Sequence, residues 1–576
     1  MSGDDIRETR AREPDPRDAI KCPVVPLGHL KGVYYFLSGA GEIRELKPRD
    51  MTALGLLSLF DGDGAWLHEH YAKLDKKDRK TGEIDVTSAA MGMMRRCVDV
   101  GLYRPDTPKR SIGVWRDDEF GEIVAHCGDQ LVYFDRTASR RMRRRRAAGV
   151  HVGHAIYIAA PPIDQPAPAP ASRGDAVAML AAMRDLWRYE APHLPLMVFG
   201  FTALGLLGAA PPWHVHILLI GKRGSGKSTL LKLARCIAGP QGVYWNDPTE
   251  AGMRERLSDE ARVIFYDEAG DKGGENRSLR VDAIIGLLRR MAEEEGARSL
   301  RGSGGAAKEY AMAGSVALAA ANAPILDAQD RSRILEIDML AANPDNLSKV
   351  EQAIAEAEKL SPALRARALL GWPRFLANLQ VFRQALVDAK CDARQAMQLG
   401  TLFAAAEMMT SDAPIDSDSA ATQIADLAAV IQEYREIDEE LSNARRCWHQ
   451  LLSYQVDHWK SGAKSSISRI IGLARDPEDG KAARDALPVY GLRLETLSDG
   501  TTQELWVANV HPGGLGKIFA GTDWANGGWG RALKDLPGAE VGEKAGNFLG
   551  VKSRFTVIPA KLLPDKPPRA PPVGAL

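Results

Sequence analysis

Cysteine is scarce in this chain and never paired by spacing. The six cysteines among 576 residues, Cys22, Cys97, Cys127, Cys236, Cys391 and Cys447, stand singly. That excludes a CxxC or Cys/His zinc cluster and a disulfide scaffold, and reads as a reduced, cytoplasmic protein. Net charge is lacking too: 75 Lys plus Arg balance 75 Asp plus Glu, so attraction to a polyanion has to come from local segregation of charge. An apolar leader is missing, because MSGDDIRETRAREPDPRD is charged where a secretory signal is greasy, and export is not expected. One uncharged stretch, LPLMVFGFTALGLLGAAPPW from Leu194 to Trp213, has the length of a membrane span. Its Ala and Gly content, the closing Pro211-Pro212 and the strand that follows fit a helix buried in a globular core instead, so no membrane association is expected.

Hydrophobic residues make up 45% and charged ones 26%, the mix of a folded globular protein too long for one core. Residues 22–158 read as a mixed α+β accessory domain, with β-like GVYYFLS, IGVWRDD and EIVAHCGDQLVYF and a helical RDMTALGLLSLF. That region holds no paired acids at a telling spacing and no nucleophile with a base. Residues 159–174 contain APPIDQPAPAPASRG, a Pro/Ala-rich composition expected of a linker. A nucleotide-binding α/β domain with leading helices is expected over 175–342, a helical block over 343–460, and a module of helices followed by short strands over 463–564. That last pattern suits a winged-helix-like DNA-binding unit.

The chemistry is concentrated in the middle. GKRGSGKS, Gly221 to Ser228, fits GxxxxGK[ST] and lies between the apolar HVHILLI and the helical TLLKLARCIAG. Gly221, Gly224 and Gly226 let backbone N–H groups curve around phosphate oxygens, with Thr229 in the first helical turn adding to the anion site. Lys227 reaches the β/γ-phosphates and the Ser228 hydroxyl ligates Mg²⁺, so ATP and Mg²⁺ are the expected cofactors. Downstream, ARVIFYDEAG reads as a buried strand ending in Asp267, placed to hold the metal through water, and Glu268, placed to activate the attacking water. The apolar run of AMAGSVALAAANAPI stops at Asn322, whose amide would lie beside Asp267 if the two strands are neighbours; a plain turn is the alternative. In DRSRILEIDM, Arg331 and Arg333 have no evident acidic partner in sequence apart from Asp330, and either suits an arginine that meets a neighbouring subunit's γ-phosphate or a structural salt bridge.

The ordered series LLIGKRGSGKS, VIFYDEA, VALAAAN and DRSRILEI resembles the superfamily 3-type helicase domains, and their AAA+ relatives, that replicate phages, plasmids and integrated mobile elements, often as the C-terminal part of a primase-helicase. The resemblance implies a P-loop NTPase core in which Lys227 and Ser228 belong to Walker A, Asp267 and Glu268 to Walker B and Asn322 to motif C or sensor 1. Arg331 or Arg333 is then the arginine finger of a homo-hexameric ring around DNA, hydrolysing ATP between subunits. In the place of a DNA-contacting hairpin stands RRMAEEEGARSLRGSGGAAKEY, with Arg298, Arg301 and Lys308 around a GSGG tip; pore contacts or an exposed surface hairpin both fit it. The hairpin lacks the aromatic-plus-lysine tip of the viral relatives. No primase-polymerase acidic motif stands in 22–158, which leaves priming to a separate primase or polymerase.

Two further stretches carry segregated charge. RTASRRMRRRRAAG sets Arg143, Arg144, Arg145 and Arg146 in a run that either meets DNA phosphates or is a solvated tract. Near the C-terminus Lys517, Arg531, Lys534, Lys552 and Arg554 accompany Trp524 and Trp529, for which a core role is preferred over base stacking. The reading is an ATP- and Mg²⁺-dependent DNA helicase, with an oligomeric DNA-binding switch or loader as the alternative. Glu268→Gln is expected to leave ATP affinity intact while lowering turnover roughly 10²-fold or more, measured by nucleotide titration beside steady-state ATPase.

Overall fold

The structure is a computed structural model and describes residues 22–120, 122–135, 142–146, 151–152, 155–267, 275–293, 297–303, 306–320, 326, 328–425, 427, 443–456, 465–477, 480–497, 499 and 502–565, with backbone alone for 145–146, 151–152, 275–280, 297–303 and 306–311. Glu268 and Asn322 lie outside the described residues. The chain divides into two compact units after Leu427.

At the centre of the first unit five parallel strands lie in the order Gly242–Trp245, Val263–Tyr266, Val316–Ala320, His216–Ile220, Ile334–Asp338. Strands such as VIFY, VALAA and, His216 apart, HILLI are apolar rather than alternating because the sheet is covered on both faces. On one face Ile264, Tyr266 and Leu318 pack with Ile284, Leu288 and Met291 of the helix Glu275–Met291. On the other lie the helices Lys227–Ala238 and Leu194–Gly205, the latter with Phe201 edge-on to Phe265. Leu194–Gly205 is apolar all round because it is wedged between this sheet and the helix Ala393–Thr410, whose Leu402 carbonyl oxygen lies 2.3 Å from where a Cβ on Gly200 would be. Among the described residues no helix is long and apolar enough to cross a membrane.

Two buried histidines fasten the sheet to its helix. The Val316 N–H donates to His216 Nδ1 at 3.1 Å, which puts the ring proton on Nε2, 3.0 Å from the Leu288 carbonyl oxygen. His214 Nδ1 bonds the Met291 carbonyl at 3.1 Å. Burial pushes His214 down to about 4 and His216 down to about 3, the neighbouring His214 adding to the latter. A second proton on His216 would also set an N–H against the Val316 N–H.

The residues before the parallel sheet include two antiparallel sheets. Val25–Leu30, Val33–Leu37 and Ile43–Leu46 pack on the helices Ala53–Leu59, Ala65–Tyr71 and Val86–Val100 around Phe36, Leu59, Leu67 and Met93. A second sheet runs Met142–Arg146, Gln130–Phe134, Glu122–His126, Gly113–Asp117. Its Gly113 end is joined to the parallel-sheet domain by main-chain bonds: Ser111 N–H to Asp259 O at 2.7 Å, Ala261 N–H to Ile112 O at 2.8 Å and Ala209 N–H to Val114 O at 2.9 Å. Gly113 is required there, since its φ is +150° and a Cβ would come within 2.6 Å of Ala261.

The Pro/Ala-rich segment expected to be a linker is instead a strap laid along the helix Leu347–Asp388. Ala167 and Ala171 N–H donate to the carbonyls of Pro362 and Ala363 at 2.9 Å each, and Arg365 donates to the carbonyls of Asp164 and Gln165 at 2.8 and 3.1 Å. Proline freezes the strap in extended form, while Pro362, which lacks an N–H, interrupts the helix's own ladder where the strap meets it. The helical block also ends earlier than expected. Asn443–Ser453 belongs to the second unit, where Cys447, Trp448 and Leu451 share a core with Ile467, Ile470, Leu505 and Phe519. That unit continues with the helices Ile467–Ala474 and Lys481–Ala486 and an antiparallel sheet in the order Leu492–Thr496, Gln503–Ala508, Phe555–Ile558, Glu540–Val541.

Because His214 and His216 are neutral when folded and take up protons near 6.5 when unfolded, the stability they allow is full above about pH 6.5. It declines as pH falls towards 4, by about 1.4 kcal/mol per pH unit for each. Thermal unfolding is expected to be level from pH 8 to 7 and to drop between pH 6.5 and 5, above the range in which carboxylates titrate.

Candidate functional site

Parallel strands all end at one edge, and the loops leaving that edge carry the candidate residues. The loop Gly221–Gly226 leaves His216–Ile220 and runs into Lys227–Ala238. Gly224 and Gly226 both take φ +85°, a left-handed conformation that curls the backbone back on itself. Lys227 Nζ donates to Gly221 O at 2.5 Å and Lys222 O at 3.3 Å and lies 3.4 Å from Ser225 Oγ, so its amine is held over the loop. Ser225 is buried and Ser228 exposed. Thr229 Oγ1 donates to Gly226 O at 2.8 Å.

A residue outside the motif shapes this loop. Trp187, buried after the helix Arg173–Leu186, donates its indole N–H to Gly226 O at 2.9 Å and lies where a Cβ on Gly226 would fall. Nothing local in the sequence announces this contact, because the tryptophan and the loop are far apart in the chain.

Period-2 alternation decides what Asp267 faces. Ile264 and Tyr266 point to the helix Glu275–Met291, so Phe265 and Asp267 share the face of the loop helix. Asp267 is buried, its N–H donates to Trp245 O at 3.0 Å, and Tyr244 Oη donates to its Oδ2 at 2.9 Å. The strand that leads to Asn322 pairs with the Asp267 strand (Tyr266 opposite Leu318) on one side and with His216–Ile220 on the other. A buried carboxylate and an exposed hydroxyl on one sheet edge fit Mg²⁺, which takes one or two protein oxygens and completes its octahedron with phosphate and water.

The two arginines are not without acidic partners. Asp330 is engaged by Arg289, Nη2 to Oδ2 at 3.2 Å; Arg331 Nε lies 3.6 Å from Glu336 Oε2, and Arg333 Nη2 lies 3.6 Å from Glu293 Oε1. Arg333 is buried, with 6% of its side chain exposed against 17% for Arg331. The expected hairpin is formed by Ala297–Ser303 and Ala306–Met312, whose register sets Arg301 opposite Lys308 and Arg298 opposite Ala311. Arg301 and Lys308 therefore share one face, and Arg298 falls on the other.

Arg143–Arg146 form an edge strand, not a coil, pairing with Gln130–Phe134. Arg143 is bonded to Asp135 at 2.9 Å, and Arg143 and Arg144 are exposed. Arginines on an edge strand also discourage pairing with other chains. Trp524 and Trp529 are core residues, donating to Asn443 Oδ1 and Ala508 O at 2.8 Å each. The basic residues around them, Lys517, Arg531, Lys534, Lys552 and Arg554, are all exposed.

No family model matches the sequence, and no curated protein matches it. Among solved structures, one described as "SCCmec type IV Cch - active helicase" is similar at 14% sequence identity over 94% of this chain and 93% of that chain, with a TM-score of 0.47.

Gly226→Ala forces a side chain into the left-handed region, at roughly 1–2 kcal/mol, and against the Trp187 indole. It is expected to weaken nucleotide binding about tenfold or more. Trp187→Phe removes one hydrogen bond, worth about 1 kcal/mol, and is expected to weaken binding several-fold with the fold intact. Calorimetric titration of both variants checks this.

Proposed function

We propose that this chain is an ATP- and Mg²⁺-dependent DNA helicase of the AAA+ or superfamily 3 kind, working as a homo-hexameric ring in the replication of a phage, plasmid or mobile element. The observation that carries the reading is the gathering, at one edge of a parallel sheet, of a left-handed glycine loop with an amine held over it and a buried carboxylate two strands away. The loop's N–H groups and the start of its helix receive phosphate oxygens, and Lys227 exchanges its carbonyl partners for the β/γ-phosphates. Ser228 and Asp267 would hold the Mg²⁺. The metal supplies neutralisation of charge on the transferring phosphoryl. Glu268 takes the proton of the attacking water, and Asn322 orients it. Arg331, the more exposed of the two arginines, leaves Glu336 to act as the finger in a neighbouring subunit. Arg333, buried beside Glu293, keeps a structural role.

Polynucleotide is gripped by Arg301 and Lys308 on one face of the hairpin, assisted by Arg298, by the Arg143–Arg146 edge strand and by the exposed cations of a winged-helix-like C-terminal module. Priming falls to a separate primase or polymerase. The internal pairing of both arginines favours, as a second reading, an ATP-driven DNA-binding switch or loader that does not unwind.

Single-stranded DNA is expected to stimulate ATP hydrolysis, and a forked duplex to be separated, with both activities lost in Lys227→Ala. ATP hydrolysis indifferent to every polynucleotide, with no strand displacement at either polarity, would favour the switch.

A further inference from the structure

The carboxylate of Asp267 is oriented from outside any of the motifs. Gly242–Trp245 is the edge strand beside Val263–Tyr266, and its alternation sends Val243 and Trp245 to the core under Glu275–Met291 and Tyr244 to the opposite face. There Tyr244 Oη donates to Asp267 Oδ2 at 2.9 Å. The same ring lies beneath the guanidinium of Arg235, 5.7 Å from Cζ to centroid, and Arg235 belongs to the loop helix Lys227–Ala238. The Asp267 N–H is fixed in turn by the Trp245 carbonyl at 3.0 Å. One dipeptide of the edge strand thus holds Asp267 by backbone and by side chain, and touches the helix that begins at Lys227.

We infer that Tyr244 is a positioning residue for the metal site: its hydroxyl holds Asp267 through Oδ2 and so fixes the carboxylate at the sheet edge where Mg²⁺ would bind, and its ring ties that orientation to the phosphate-loop helix through Arg235. The inference rests on the ATPase reading of this edge. A carboxylate that orders metal-bound water is effective only in one rotamer, and partners that fix such a rotamer typically alter metal affinity by about 10- to 100-fold when removed.

The test uses the full chain and fluorescent ATP binding titrated with and without Mg²⁺, with Mn²⁺ binding to the protein–nucleotide complex followed by electron paramagnetic resonance. Tyr244→Phe keeps the ring and its contact with Arg235 and removes only the hydroxyl. Its nucleotide affinity without metal is expected to equal that of the parent, while the Mg²⁺ concentration for half-maximal tightening rises about tenfold, with a matching loss of Mn²⁺ affinity. Tyr244→Leu, lacking the ring as well, is expected to weaken metal-free binding too. Equal metal dependence in Tyr244→Phe and the parent overturns the inference and leaves the ATPase reading standing. A lower unfolding temperature with unchanged metal dependence does the same and reduces Tyr244 to a packing residue. Failure of the parent to bind nucleotide under any condition overturns both.

Discussion

The parallel register between Val263–Tyr266 and the strands around it is the constraint on which the site depends. Parallel pairing sends every strand out at one edge, so the glycine loop after Ile220 and Asp267 after Tyr266 emerge together although about forty residues separate them. The pairing with Gly242–Trp245 then adds Tyr244 at the height of Asp267. Slipping the acidic strand by one residue would turn Asp267 towards the helix Glu275–Met291 and bring Tyr266 to the loop helix. The apolar runs on both faces and the histidines that pin the sheet to its helix make such a slip costly, and in that sense the core maintains the chemistry.

The domain that precedes the parallel sheet is joined to the chain just before that same strand. Its sheet ends in backbone bonds to Asp259 and Ala261, only a few residues before Val263, and the proline strap lies along Leu347–Asp388. The preceding sheet thus meets the parallel-sheet domain through backbone bonds at Ala209 and at the root of the strand that carries Asp267, and the strap meets the helix Leu347–Asp388. Gly113 and Gly208, both at positive φ against Ala261, mark how closely the backbones approach.

Much of this was legible in the residues. The loop was readable because glycine at fixed offsets before a lysine has few other uses, and the buried strands because VIFY and VALAA leave no polar face. The helix Leu194–Gly205 was correctly expected in the interior, because Pro211-Pro212 and the following strand leave no membrane-spanning continuation. Partnerships that cross the chain were not readable: Glu336 for Arg331, Glu293 for Arg333 and Trp187 for the loop are set by tertiary packing, and no local pattern announces them. Composition misled at residues 160–171, since proline signals extended backbone equally in a free linker and in a packed strap. It misled again after residue 427, where helical periodicity does not reveal which core a helix joins. Arg143–Arg146 lacked the apolar alternation of a strand because an edge strand with exposed arginines need not show it.

The central claim is that the loop Gly221–Ser228 and the strand ending at Asp267 form one phosphate-and-metal site. Amide hydrogen exchange with and without Mg²⁺ and a non-hydrolysable ATP analogue tests it most directly. The account predicts slowed exchange at the amides of residues 222–229 and, only when Mg²⁺ accompanies the analogue, at 244–246 and 266–267. Slowing confined to another part of the chain, or none at saturating analogue, would contradict it.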